Sequence, residues 1–290
     1  METAKAVKNR SELLRFLQKE LILAGIEEAN GEAEQILEET LGITKVELYI
    51  EPEKGISFQD EERSLKIVSG RKKRIPLAYL LGKADFWKET LIINESCLVP
   101  RPETEFLVES VIKSFQDKDR KFSFLDIGTG SGAIAVALLR EFPNASGTLL
   151  DASEKALDVA RANVAKYKIH DRAVLKKGDL FAVFSAENKW DLIISNPPYL
   201  SEQDLLNTQP ELNAEPRAAL DGGKDGLDFY RRIIPEAKKH LNPSGILALE
   251  VGIGQAGTVS TWLQDAGYDN IQRFQDYLHI DRVILAKLKT

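Results

Sequence analysis

The sequence is poor in the residues that build disulfides and metal centres. Its 290 residues hold one cysteine, Cys97, and three histidines, His170, His240 and His279, which show no metal-ligand spacing. A lone cysteine excludes an intramolecular disulfide and withholds the thiolate cluster of a structural zinc site. Cys97 therefore reads as a small core residue, and the histidines as surface or boundary residues. No apolar run approaches the roughly 20 residues that span a bilayer, and Met1-Glu2-Thr3-Ala4-Lys5 leads into a charged stretch without a signal-peptide core. No membrane contact is expected, and the chain should work in the cytoplasm. Positive charge is not in excess either: 39 Lys and Arg face 45 Asp and Glu, a net of −6, the wrong sign for gripping a long duplex by its phosphates. Direct nucleic-acid binding is not expected. The local basic run of Lys66 with Arg71-Lys72-Lys73-Arg74 reads first as a solvated helix end, and second as a surface that touches an RNA-bound partner.

What is present divides the chain in two. From Ser11 to Gly42, Leu13, Leu14, Leu17, Leu21, Leu37 and Leu41 recur at helical spacing, interrupted by Gly25, Asn30 and Gly31. A further helix is predicted from Asp60 to Arg74, after the Pro52-Glu53-Lys54-Gly55 break and before Pro76. These make a small helical domain over residues 1–83. Between 84 and 100 the pattern changes to Phe86-Trp87, Leu91-Ile92-Ile93 and Leu98-Val99 around Asn94-Glu95-Ser96, which predicts a β-hairpin linker. From 101 to 290 apolar strands alternate with helices; the strands predicted are 122–127, 147–150, 173–175, 192–195, 246–251 and 283–286. That alternation specifies a doubly wound α/β domain. No internal repeat or low-complexity segment is visible.

The first candidate site follows the first strand of this domain. Phe124-Leu125-Asp126-Ile127 runs into Gly128-Thr129-Gly130-Ser131-Gly132, and an apolar helix starts at Ala133. Glycines admit positive φ and leave room for a ligand where a Cβ would stand, while N–H groups at a helix start favour polar or anionic groups. About 20 residues on, the next strand ends at Asp151, where a carboxylate can accept from both hydroxyls of a ribose. The loop alone specifies an adenosine cofactor and no more, because Gly128-x-Gly130-x-x-Ala133 also fits the relaxed dinucleotide fingerprint of dehydrogenases.

The second candidate site separates methyl transfer from hydride transfer. The fourth strand ends in Asn196-Pro197-Pro198-Tyr199, again at the carboxyl edge where open α/β sheets place their ligands. Two prolines fix φ and remove two donors, so carbonyls there stand free on a rigid loop. A side-chain amide and a backbone carbonyl can then accept both hydrogens of an N–H₂ group. An amide or base-attached nitrogen has its lone pair delocalised; accepting both hydrogens orients it and stabilises the positive charge it develops, while Tyr199 covers the flat face of the substrate. A bare Asn-Pro-Pro-Tyr is equally well a turn leaving a strand. Its order after a glycine loop and a strand-end acid is a signature of amino-methyltransferases.

With these residues in place, the chain resembles the HemK/PrmC family of protein-(glutamine-N5) methyltransferases that act on peptide chain release factors. The resemblance covers nearly the whole chain. It extends to Ile75-Pro76-Leu77-Ala78-Tyr79-Leu80-Leu81-Gly82 with Phe86-Trp87, to Leu98-Val99-Pro100-Arg101-Pro102-Glu103-Thr104-Glu105, and to the segments at Glu215–Leu220, Asp225–Leu227 and Glu250-Val251-Gly252 with Gln255. It implies a Rossmann-like methyltransferase domain that uses S-adenosylmethionine, and a helical N-terminal domain that helps dock a release factor with a Gly-Gly-Gln loop. By the resemblance, Gly128, Thr129, Gly130, Ser131, Gly132, Asp151, Asp179, Leu180 and Asn196 line the cofactor site. Asn196, Pro197, Pro198 and Tyr199 hold the substrate glutamine, with Asn196, Pro197 and Tyr199 at the chemistry. Two departures stand out: Leu180 lies where the family often has an aromatic residue, so apolar contact replaces adenine stacking, and His279 lies where glycine is usual, which puts the turn before the last strand in question.

Four other readings compete. A nucleic-acid amino-methyltransferase would hold a base amino group in the same Asn-Pro-Pro-aromatic device, against which the net charge counts. A ribosomal-protein glutamine methyltransferase shares the chemistry and is separated only by the resemblance. A nicotinamide dehydrogenase is the other reading of the glycine loop. A non-catalytic RNA- or ribosome-binding adaptor would use the helical domain and the Lys66–Arg74 run, and leaves Asp151 and Asn196 unexplained.

Overall fold

The structure, a computed structural model, describes residues 9–289. The chain forms two compact units that divide between Gly82 and Lys83.

The first unit is helical: α1 (Arg10–Leu23), α2 (Ala29–Leu41), α3 (Lys45–Ile50), α4 (Phe58–Arg71) and α5 (Leu77–Leu81). Side chains at the helix starts satisfy the first free N–H groups: Asn9 accepts from Glu12, Ser57 from Asp60, and Thr44 forms a capping box with Glu47. Leu13, Leu17 and Leu21 of α1 are fully buried against Ala33, Ile36 and Leu37 of α2. The predicted Asp60–Arg74 helix starts and stops earlier than expected, because Ser57 caps it and Arg74 takes a positive φ of 64°. The basic run is spent inside this unit. Arg71 Nε pairs with Glu32 at 2.7 Å, Lys72 pairs with Glu20, and Arg74 donates to the carbonyls of Ala24 and Gly25. These contacts make most of the run a set of interhelical ties rather than a free cationic surface.

The second unit opens on a hairpin, β1 (Lys83–Phe86) and β2 (Glu89–Ile92), followed by α6 (Pro102–Ser114), β3 (Ser123–Ile127), α7 (Ala133–Glu141), β4 (Ser146–Asp151), α8 (Glu154–Lys166), β5 (Ala173–Lys177) and β6 (Trp190–Ser195). After these come α9 (Glu202–Leu206), α10 (Asp228–His240), β7 (Leu241–Glu250), α11 (Ala256–Asp265), β8 (Tyr268–Gln275) and β9 (Asp281–Leu288). The hairpin expected as a linker packs as part of this unit: Asn163 of α8 exchanges both amide hydrogen bonds with the backbone of Ile92, at 2.7 and 2.9 Å.

Seven strands form one sheet in the order β5-β4-β3-β6-β7-β9-β8, parallel except for β9, which lies antiparallel between β7 and β8. Alternate residues serve the two faces, as the strand period requires. Leu125, Ile127, Ile193, Leu247 and Leu249 join the core formed with α10 and α11. Phe124 points the other way, towards Phe122, which stacks on Phe115 and meets Phe142 edge-on. All six predicted strands are present with ends shifted by up to five residues, the largest shift being at the start of β7. The sequence reading missed β8, because Tyr268–Gln275 is an edge strand with two register irregularities and lacks clean alternation. It also read His240 as a surface or boundary residue, whereas the ring is buried and stacked on Phe181 at 5.0 Å. His279 takes the left-handed conformation, φ 60°, that explains glycine at its position, and the turn closes with Asp276 bonded to Ile280 and His279. Among the described residues no helix is long and apolar enough to cross a membrane, and no group of three His, Cys, Asp or Glu side chains could hold a metal.

Candidate active site

The parallel register sets the site. Ile127 lies opposite Leu150 on one side and Ser195 on the other, and Ser195 lies opposite Leu249. The next residues, Gly128, Asp151, Asn196 and Glu250, therefore emerge side by side at the carboxyl edge. The chain winds outward in opposite directions from β3, to β4 and to β6, so this is also the switch point where open sheets leave a crevice.

The glycine loop is a tightly bonded turn. Gly128, Gly130 and Gly132 have φ of 72°, 55° and 81°, and a Cβ on Gly128 would meet nothing within 4 Å. The N–H groups of Gly128 and Thr129 donate to the Leu150 carbonyl, and that of Gly132 to Thr129. Asp151 ties the loop to its own strand end, accepting from Gly130 N and Ser153 N, each at 2.9 Å. Burial raises its pKa above the usual carboxylate value, and these backbone donors counter the rise. Beneath the loop, Asp126 is fully buried and accepts from the Thr129 hydroxyl at 2.6 Å. Burial pushes its pKa up to about 7, Asp151 adds to the rise, and the Thr129 hydroxyl and Ala135 N–H oppose it. With the N–H groups of Gly128, Thr129, Gly130 and Gly132 committed within the protein and an acid under the start of α7, the loop offers little to the diphosphate of a dinucleotide.

Asn196-Pro197-Pro198-Tyr199 leaves β6 as an irregular segment braced from several sides. Asn196 Nδ2 donates to Thr104 Oγ1 of α6 at 2.9 Å. None of the described residues donates to the carbonyls of Pro197 or Pro198, whereas the Tyr199 carbonyl accepts from Gln255 Nε2 at 2.9 Å. The Tyr199 hydroxyl is turned into the protein, 3.4 Å from Glu250 Oε1, and burial raises its pKa. Glu250 is fully buried, and burial pushes its pKa up to about 7.

Two cavities meet here. The larger, about 310 Å³, is lined by Gly128, Gly130, Asp151, Asp179, Leu180, Asn196, Pro197 and Pro198 among others. The smaller, about 100 Å³, is bounded by Arg101, Tyr199, Leu200, Leu212 and Leu220. Asn196 and Pro197 belong to both walls. Thr129, Ser131 and Gly132 do not line either cavity: Thr129 serves Asp126, the Ser131 carbonyl accepts from Asn163, and Gly132 packs on Ala160. Asp179 turns its carboxylate outward to Arg232 Nη2, 2.6 Å away. Leu180 is buried with φ 48°. Cys97 is buried, as a small core residue should be, yet it faces the larger cavity.

Sequence reasoning missed Asp126, Thr104 and Glu250 as members of the site. A carboxylate inside an apolar strand was the available signal for Asp126 and Glu250. Thr104 carries no such signal, since only the docking of α6 brings it to Asn196.

A family model for the PrmC N-terminal domain matches residues 12–82, and one for the methyltransferase small domain matches 102–224. The release factor glutamine methyltransferase of Caulobacter vibrioides is 38% identical over 263 residues, covering 90% of each chain. That of Geobacter sulfurreducens is 40% identical over 261 residues, again 90% of each. Among solved structures, a methyltransferase from Pyrococcus furiosus superposes with a TM-score of 0.52 over 69% of this chain and 89% of its own; at 21% identity this shows the shared fold. The glycine turn, the strand-end acid and the Asn-Pro-Pro-Tyr loop thus sit in a chain that matches its relatives from the helical unit through the sheet, and it belongs to the release factor glutamine methyltransferase family.

Proposed function

We propose that this chain transfers a methyl group from S-adenosylmethionine to the side-chain amide nitrogen, N5, of the glutamine in the Gly-Gly-Gln loop of a peptide chain release factor. The observation that carries the reading is the shared wall of the two cavities: Asn196 and Pro197 stand between a space of cofactor size and a smaller one suited to a side chain. A volume of about 310 Å³ falls within the range of small-molecule sites, about 300–1,000 Å³. The open side of Gly128 admits a ligand where any other residue would place a Cβ. When bound, S-adenosylmethionine supplies a methyl group on a positively charged sulfur.

The chain's own residues do the rest. Asp151 keeps lone pairs free for ribose hydroxyls beyond those used by Gly130 and Ser153, and Leu180 offers an apolar surface to the adenine. Asn196 Oδ1 accepts one hydrogen of the substrate amide and the Pro197 carbonyl the other. Held this way, the nitrogen is oriented for attack, and the positive charge it gains meets two fixed oxygen dipoles. Tyr199 lies along the smaller cavity and confines the flat amide. No strong base is needed, since the nitrogen becomes acidic only as its new bond forms. The helical unit supplies contacts to the protein substrate that free glutamine lacks, and a release factor partner places the reaction in the cytoplasm.

Radiolabelled methyl transfer to release factor, a Gly-Gly-Gln peptide, ribosomal protein and DNA in parallel tests the reading. Label should enter release factor far faster than peptide, at the Gly-Gly-Gln glutamine by mass spectrometry. Label chiefly in DNA or ribosomal protein would overturn it.

A further inference from the structure

The Asn196 side chain has two ends, and only one suits a substrate N–H₂: the oxygen must face the nitrogen to be methylated. Its other end is held by Thr104, which receives Nδ2 at 2.9 Å. A hydroxyl by itself cannot enforce this choice, because it both donates and accepts and would serve either end of the amide. The choice is made one residue further back. Thr104 is buried in the first turn of α6, and its hydroxyl lies against the buried carboxyl of Glu250 at the end of β7, whose ionised form it favours. Glu250 Oε2 is buried with no hydrogen-bond partner among the described residues, so the carboxyl has an acceptor to offer the neighbouring hydroxyl proton. A carboxylate accepts and never donates. Once it takes the Thr104 proton, Thr104 presents only lone pairs to Asn196, and Nδ2 must turn towards them.

We propose that Thr104 and Glu250 are positioning residues for methyl transfer, forming a directed chain from Asn196 Nδ2 to the Thr104 hydroxyl to the Glu250 carboxylate that leaves Asn196 Oδ1 facing the substrate nitrogen. The inference rests on the function proposed above. It makes the polarity of the chain depend on the charge of Glu250. That carboxyl is faced by Thr104 and Glu103 of α6, Tyr199 of the loop after β6, Tyr230 of α10, whose hydroxyl donates to the Glu250 carbonyl at 2.9 Å, and Arg282 of β9. Thr104, Arg282 and Tyr199 favour the ionised form, while burial and Glu103 oppose it, and burial prevails. When Glu250 takes up a proton it becomes a donor, Thr104 is free to donate to Asn196 Oδ1, and the amide loses its bias. Turnover therefore falls on the acid side of about pH 7, where Glu250 is protonated.

The test compares wild type with Thr104→Val, which removes the hydroxyl at nearly constant shape, Thr104→Ser, which restores it, and Glu250→Gln, which neither titrates nor dictates a direction. Methyl transfer to release factor is followed from pH 5.5 to 9, and S-adenosylmethionine affinity is measured by calorimetry. Thr104→Val should lower kcat about 10-fold or more while cofactor Kd stays within about 3-fold, Thr104→Ser should recover most of kcat, and Glu250→Gln should lose the acid limb. Wild-type kcat in Thr104→Val, an equal defect in Thr104→Ser, or an unchanged acid limb in Glu250→Gln would each overturn the proposal. If Thr104→Val does not fold, the serine variant and the pH profile of Glu250→Gln decide it. A wild-type enzyme that leaves release factor unlabelled would instead overturn the functional reading, a separate and recognisable outcome.

Discussion

Replacing Asp151 with alanine separates the role proposed for this carboxylate at the cofactor from the one it plays within the loop. Towards the cavity, the side chain is placed to accept from ribose hydroxyls; losing a hydrogen bond to a charged group costs about 1.5–3 kcal/mol, or about a 10- to 150-fold rise in Kd for S-adenosylmethionine. Towards the protein, it accepts from Gly130 N and Ser153 N, each at 2.9 Å, bonds to a charged group of the same range, about 1.5–3 kcal/mol each. Against a domain stability of about 5–15 kcal/mol this second cost is large enough to be measured separately. Calorimetric titration at pH 8, chosen on the alkaline side because burial raises the Asp151 pKa, gives the first quantity, and chemical denaturation of the apoprotein gives the second. Asp151→Asn, which keeps one acceptor oxygen, should fall between wild type and alanine on both. A folded Asp151→Ala protein that binds S-adenosylmethionine with wild-type affinity would refute the reasoning and remove Asp151 from the cofactor site.

Asn196→Ala should reduce kcat by about 100-fold or more with a smaller change in cofactor Kd, measured by single-turnover transfer to release factor; near-normal turnover would mean that another group holds the nitrogen. Asp126→Asn should change how stability depends on pH. The folded pKa of Asp126 is raised from 3.8 to about 7, so the native state binds the proton more tightly, and the associated stability is present below pH 4 and lost as pH rises to about 7, by about 4 kcal/mol at most. Denaturation at pH 4.5 and 8 should show a flatter slope in the variant, and an unaltered slope would mean that Asp126 does not titrate there. Arg71→Ala should destabilise the helical unit by about 3–5 kcal/mol, because it strips the partner from Glu32 at a pair whose side chains are only 6% and 15% exposed. Thermal melting of the full chain would show an early transition, and a change under about 1 kcal/mol would make the pair a surface contact in effect.

Much of this could be read before any coordinates. The alternation of apolar strands with helices, and the positions of Gly128–Gly132, Asp151 and Asn196–Tyr199 directly after strands, depend on chain-local periodicity and on the rule that parallel strands deliver their ends to one edge. Strand β8 was illegible for the converse reason. Its residues answer to a single neighbour, β9, and to irregular register, so they carry no alternation of their own. His240 was misplaced because a lone histidine gives no sign of the Phe181 ring on which it stacks.

The sequence by itself determined the alternation of strands and helices, the glycine turn, the strand-end acid and the rigid amide loop, since each is a property of a few consecutive residues. Only the tertiary structure decided which loop residues face the larger cavity and which serve the core, as Thr129 and Gly132 do. It also decided what stands behind Asn196. Thr104, Asn196 and Glu250 are far apart in the chain, on α6, after β6 and at the end of β7, and no spacing rule joins them. What joins them is the packing of α6 against the sheet, which sets the Thr104 hydroxyl between the Asn196 amide and a buried carboxyl.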